Sequence, residues 1–116
     1  MKIGKSLDVD PVTCDDGKTV RNAQKRVLIG AAEGAANFVM RHFTIDPEGH
    51  SPYHTHPWEH EVYVLAGKGE VRFGGGATAV APGDFAYVPP TDEHQFVNTG
   101  DEPFEFICVV PMEGES

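Results

Sequence analysis

The residues His54-Thr55-His56-Pro57-Trp58-Glu59-His60-Glu61-Val62-Tyr63-Val64-Leu65-Ala66-Gly67 carry three of the chain's six histidines within seven positions. Alternate side chains of an extended segment project to one face, so His54 and His56 point the same way. Pro57 has no amide hydrogen to give a sheet ladder and favours a bend. The run Glu59 to Leu65, rich in Val, Tyr and Leu, then begins a new strand. A bend between two short strands returns His60 to the face that holds His54 and His56. Neutral imidazole is the commonest side-chain metal ligand, so three converging rings mark a candidate metal site. A solvated turn is the alternative reading of the same residues. Glu59 and Glu61 flank His60 along the strand and are expected on the opposite face.

Outside this stretch the composition sets bounds. At 116 residues the chain makes one domain, 1–116, with room for one core. A net charge of −9 repels phosphate backbones and anionic membranes, which disfavours nucleic-acid and membrane partners. Two cysteines, Cys14 and Cys108, make no disulfide framework and suit a reducing compartment. The first ten residues lack the apolar core of a secretion signal, and no run approaches the ~18 apolar residues of a membrane helix. A cytoplasmic location is expected.

No segment holds a 3.6-residue period. Residues 1–10 alternate weakly and read as an edge strand, and 11–24 read as a polar loop. Residues 25–30 are a strand, 31–36 a turn and 37–45 a strand that Asp46-Pro47-Glu48-Gly49 closes with turn chemistry. After Gly67 come strands at 70–73, 77–80, 85–88, 94–98 and 104–110, divided by Gly and Pro. The tail from Pro111 to Ser116 reads as loose. Many short strands at regular intervals predict an all-β sandwich or barrel.

His94 lies 34 residues beyond His60 and by itself reads as a buried, hydrogen-bonded core histidine. Its surroundings carry a pattern: Gly83, five residues, Pro89, then His94, three residues, Asn98. With His54, His56 and Gly67 ahead of it, this resembles the cupin superfamily. The first cupin motif, about 49–67 here, runs Gly, His-x-His, three or four residues, Glu, six residues, Gly. The second, about 83–98, runs Gly, five residues, Pro-x-Gly, two residues, His, three residues, Asn. The 15 residues between Gly67 and Gly83 match the short spacer of small single-domain cupins. Three features depart: Thr91 stands where the second motif has Gly, His60 stands where the count from Gly67 places the Glu, and Gly49 lies one residue too close to His54. The phrase His-Pro-Trp-Glu-His-Glu looks like that of manganese-binding monocupins with four histidine ligands.

The resemblance implies an all-β cupin-type double-stranded β-helix, a jelly-roll barrel. It implies one divalent metal per chain, held by His54, His56, His60 and His94. Mn or Fe is favoured by the likeness, while imidazole chemistry also admits Cu, Ni or Zn. His42 and His50 match no motif position and read as non-ligands. Four imidazoles leave two octahedral positions for dioxygen or a small substrate, which points to an oxidoreductase of the dioxygenase type. A Lewis-acid isomerase or lyase and a non-catalytic metal or small-molecule binding module are the alternatives. Phe104, Phe106, Cys108 and Val110 share one face by period two. Phe106 and Cys108 either line the cavity or simply pack the core. Arg41 either meets an anionic substrate in that pocket or pairs with an acid on the surface. Trp58 reads as a packing or subunit-contact residue. The family habit of pairing through sheets implies a homodimer.

Overall fold

The computed structural model describes residues 1–14, 16 and 18–115. Nine strands follow in order: β1 (Val12–Thr13), β2 (Arg21–Ile29), β3 (Phe38–His50), β4 (His60–Ala66), β5 (Gly69–Phe73), β6 (Gly76–Val80), β7 (Phe85–Val88), β8 (His94–Asn98) and β9 (Phe104–Pro111). The pairing order is β6-β5-β8-β3-β9-β4-β7, all antiparallel, with β2 also on β3 and β1 on β2. The result is a nearly closed jelly-roll barrel: the strand pattern predicts its all-β class, and the motif likeness implies the jelly roll. Among the described residues the helical elements are three short 3₁₀ turns, and no helix is long and apolar enough to cross a membrane.

β9 organises the interior. Its inward residues Phe104, Phe106, Cys108 and Val110 are all buried, alternating with half-buried neighbours. The register sets Phe106 opposite Phe43 of β3 and Val64 of β4, and Cys108 opposite Arg41 and Val62. Because side chains alternate with period two, this alignment turns all six residues to one side. Phe43 and Phe106 stack at 5.4 Å, and Phe104, Val39, Ile45 and Val110 are among the buried residues of the same core.

Gly67 has φ +80, and a Cβ there would lie 2.2 Å from the Pro103 carbonyl oxygen. The close pass of two backbones at this corner explains why the first motif ends in glycine.

Four expectations are corrected. Residues 1–10 form no strand; Ser6–Asp8 is a 3₁₀ turn, held because the Ser6 hydroxyl bonds the His42 ring and Arg26 Nε donates to the Val9 carbonyl. Residues 11–24 are not all loop. β1 pairs with β2, which starts at Arg21 because its register on β3 outweighs its polar composition. Asp15 and Gly17 of that segment lie outside the described residues. The Asp46-Pro47-Glu48-Gly49 segment does not end β3. It forms a bulge, with Glu48 at φ 68 and the register jumping from Ala23↔Ile45 to Arg21↔His50, and the strand continues to meet β8 at Val97. The tail as far as Glu115 is not loose: Met112–Glu115 makes a 3₁₀ turn, and Glu115 pairs with Lys25 at 2.5 Å and Arg41 at 3.1 Å, while Ser116 lies outside the described residues.

Candidate metal centre

Three separate pieces of chain bring the histidines together. His54 and His94 exchange backbone hydrogen bonds of 3.1 and 3.0 Å, an isolated bridge that fixes one against the other. The bridge is brief because Pro52 and Pro57 cannot donate to a ladder. His56 sits on the bend, where its carbonyl accepts from Thr91 N at 2.9 Å. His60 is the first residue of β4, opposite Val88. Ring centroids of His54, His56 and His94 lie 4.9–5.0 Å apart, and those of His60 lie 4.4 Å from His56 and 5.1 Å from His94.

The protons show whether these residues suit a metal. A neutral imidazole carries one N–H. His56 Nδ1 donates to the Trp58 carbonyl at 3.1 Å, and His94 Nδ1 to the Asp92 carbonyl at 2.9 Å. Both Nε2 atoms are therefore bare lone pairs, oriented as outer-shell hydrogen bonds orient metal ligands. One ring nitrogen from each of His54, His56 and His94 lies within 4.8 Å of the others, so the triad can bind a metal ion. His60 stands beside this set, its Nε2 2.6 Å from His56 Nε2. Its Nδ1 faces Cys108 Sγ at 3.0 Å and Arg41 Nη2 at 3.5 Å. His42 and His50 lie elsewhere, bonded to Ser6 and Glu105 and to the Ser51 carbonyl.

Burial, reinforced by repulsion from the neighbouring rings, holds His54 down to about 4. Burial, then His56 and Arg41, holds His60 near 3. Both rings are neutral at pH 7, the form that ligates. On the outer face Glu61 is pushed up to about 7 by partial burial, a hydrogen bond with Glu59 and that residue's like charge. Glu61 is exposed, on the side away from His60, as the alternation requires. These shifts give a signed prediction. Unfolded histidines take up protons from about pH 6.5 downward, whereas the folded rings resist until about pH 4. The metal-free protein's stability from these groups is complete above pH 6.5 and falls as pH drops toward 4. Glu61 acts oppositely between about 4.5 and 7. Urea midpoints of metal-free Glu61→Gln protein at pH 7.5, 6 and 5 are expected to decline; constant midpoints would contradict the burial argument.

Thr91, where the second motif has Gly, sits at φ 70. A β-branched residue in this left-handed region is strained by ~1–3 kcal/mol. Thr91→Gly is expected to raise stability by about 1 kcal/mol in urea denaturation, the relief of strain exceeding the added chain entropy. A loss would show that Thr91 contributes contacts of its own.

A cavity of about 160 Å³ opens beside the rings. Phe106, Cys108 and Arg41 line it together with Phe43, Phe96 and Trp58. Arg41 pairs with an acid, but inside the protein: it is 6% exposed, because its place on β3 opposite Cys108 turns it inward. Trp58 stacks on His56 at 4.5 Å. Glu115 and Gly114 escaped the sequence reading, since nothing in the local tail composition signals contact with Arg41.

The motif spacings, the barrel and the converging histidines coincide with a family match: the model described as "Cupin domain" covers residues 41–110. The chain is a cupin. Among curated proteins, this cupin is 38% identical over 74 residues to 1-methylthio-D-xylulose 5-phosphate methylsulfurylase of Rhodospirillum rubrum, covering 64% of the chain and 47% of that protein. It is 43% identical over 76 residues to glucose-6-phosphate isomerase of Pyrococcus abyssi, covering 57% of the chain and 37% of that protein. The chain thus spans half or less of these relatives' length. Among solved structures it superposes on the polyketide cyclase RemF of Streptomyces resistomycificus with TM-score 0.88 and 32% identity, covering 97% of the chain and 80% of RemF.

Proposed function

We propose that this cupin is a metal-dependent enzyme of the isomerase, lyase or cyclase type acting on a small carbonyl or enol substrate. The carrying observation is the donor set: neutral imidazoles converge, and Glu61, which follows His60 on β4, faces away. His54, His56, His60 and His94 are the proposed ligands of one divalent ion, with Mn or Fe favoured by the motif likeness. When bound, such an ion supplies Lewis acidity that polarises a substrate oxygen. For His60 to join, its proton must reside on Nδ1, where Cys108 Sγ accepts it. Burial pushes the Cys108 thiol up, so at neutral pH the sulfur keeps its own proton and serves His60 as a hydrogen-bond acceptor. Phe43, Phe96 and Phe106 give the cavity beside the rings its apolar walls. The names of the relatives, an isomerase and a cyclase among them, support this reading over dioxygenase chemistry.

Reconstitution with Zn separates the two. The Zn protein is expected to exchange α-protons of small 2-hydroxyketones and 3-oxo acids with D2O, read by NMR, without oxygen uptake. Turnover confined to the Mn or Fe form and accompanied by oxygen consumption would favour the dioxygenase. A homodimer belongs to the same proposal, since edge strand β7 leaves Phe85 81% and Tyr87 56% exposed. Sedimentation is expected to give about twice the 12.6 kDa chain mass; a monomer would contradict it.

A further inference from the structure

Arg41 is a cation that the barrel has buried. Its Nη1 donates to Glu115 Oε1 at 3.1 Å and its Nη2 to Cys108 Sγ at 3.1 Å, and Cζ lies 4.9 Å from the Phe43 ring centre. Its Nε is buried without a partner among the described residues. A buried guanidinium requires a counter-charge. Here the charge comes from Glu115, which belongs to no strand but to the single turn after β9. That turn also seals the site. A Cβ added at Gly114 would meet Trp58 Nε1 at 2.9 Å, and Trp58 stacks on His56.

We propose that the cavity binds a small carboxylate monoanion through Arg41, and that Glu115 is an internal stand-in which this guest displaces. The inference rests on the metal centre being the reactive site. Charge favours such a guest. Neutral donors leave the full +2 of a divalent ion uncompensated, Arg41 adds +1, and Glu115 is shared with Lys25. Geometry favours a carboxylate, whose two oxygens match the guanidinium fork. Arg41 Nη2 is 3.5 Å from His60 Nδ1, so a guest held by Arg41 lies against the histidine cluster. Size favours a flat, ring-sized molecule: 160 Å³ is about that of a cavity that takes up benzene, and well below the ~300 Å³ where ordinary ligand pockets begin. Phe43, Phe96 and Phe106 supply the walls for a planar face.

Trp58, the chain's one tryptophan, reports on the turn that must move. Its fluorescence is to be followed in full-length protein titrated with benzoate, benzamide and inorganic phosphate, with metal content measured on each sample. Benzoate is expected to shift the emission and to bind at least tenfold more tightly to Glu115→Gln, in which the competing carboxylate is gone. Benzamide is expected to bind at least tenfold more weakly than benzoate. Arg41→Lys is expected to lose most of the benzoate response; because this variant alters a buried pair, the gain in Glu115→Gln is the deciding measurement. Equal affinity in wild type and Glu115→Gln would overturn the stand-in. Phosphate binding tighter than benzoate, or no response to benzoate in either protein, would overturn the carboxylate site. Metal-loaded protein that exchanges protons but ignores benzoate sinks this inference and leaves the Lewis-acid reading intact. Benzoate binding with no exchange in any metal form does the reverse.

Discussion

His94→Ala is expected to leave the protein folded and unable to retain a metal ion through dialysis. The ring is 2% exposed, and its orientation is fixed twice, by Nδ1 on the Asp92 carbonyl and by the backbone exchange with His54. Truncating the side chain leaves the backbone exchange in place, so β8 should keep its register. What disappears is one of three nitrogens within 4.8 Å of one another. Losing even an outer-shell partner costs ~10–100-fold in metal affinity, so losing a ligand should exceed about 100-fold. Elemental analysis with circular dichroism of the same sample is the check. One metal per chain in folded His94→Ala protein would sink the centre proposed for this cupin. His60→Ala then counts the ligands. An equal loss makes four, whereas a loss of tenfold or less leaves His60 outside the coordination shell and the triad alone as the site.

Phe106→Ala should bring the largest loss of stability, about 3–5 kcal/mol. The ring is 2% exposed and lies 5.4 Å from Phe43, 4.9 Å from Phe96 and 5.2 Å from Phe104. These neighbours stand on different strands, so the void cannot close by shifting one of them. A domain of this size has ~5–15 kcal/mol in total. At about 4 °C per kcal/mol, the melting temperature should fall by roughly 12–20 °C. A loss under about 1 kcal/mol in thermal or urea unfolding would mean that Phe106 is a cavity wall with little core behind it.

Some of this was readable from residue order and some was not. The inward face of β9 was legible because alternation is local, and Phe106 and Cys108 prove to be both core and cavity wall. The His54, His56 and His60 cluster was legible because a two-residue spacing and one proline constrain it within seven positions. His94 became a candidate only through the motif likeness, since its approach to His54 is a pairing across forty residues. The bulge at Asp46–Gly49 carries turn residues and forms a turn-like kink; only the long-range pairing of β3 with β8 shows that the strand goes on. Glu115 was illegible altogether. A carboxylate in a short polar tail announces nothing about a guanidinium 74 positions earlier. For the same reason residue order left Arg41 open between the pocket and the surface, because the acid that lets it be buried is supplied by that tail.

β9, the last of the described strands in chain order, lies in the middle of the sheet, between β3 and β4. Until it emerges from the ribosome, β4 with His60 has only β7 to pair with, while β8 with His94 can already join β3 and β5. His60 and the bridged pair His54 and His94 therefore stand on parts of the sheet that, among the described strands, β9 alone joins. Folding is dominated by a late, long-range closure, of the kind that proceeds slowly. A chain halted before Phe104 should therefore leave His60 unplaced beside His56 and offer at most the His54, His56 and His94 triad.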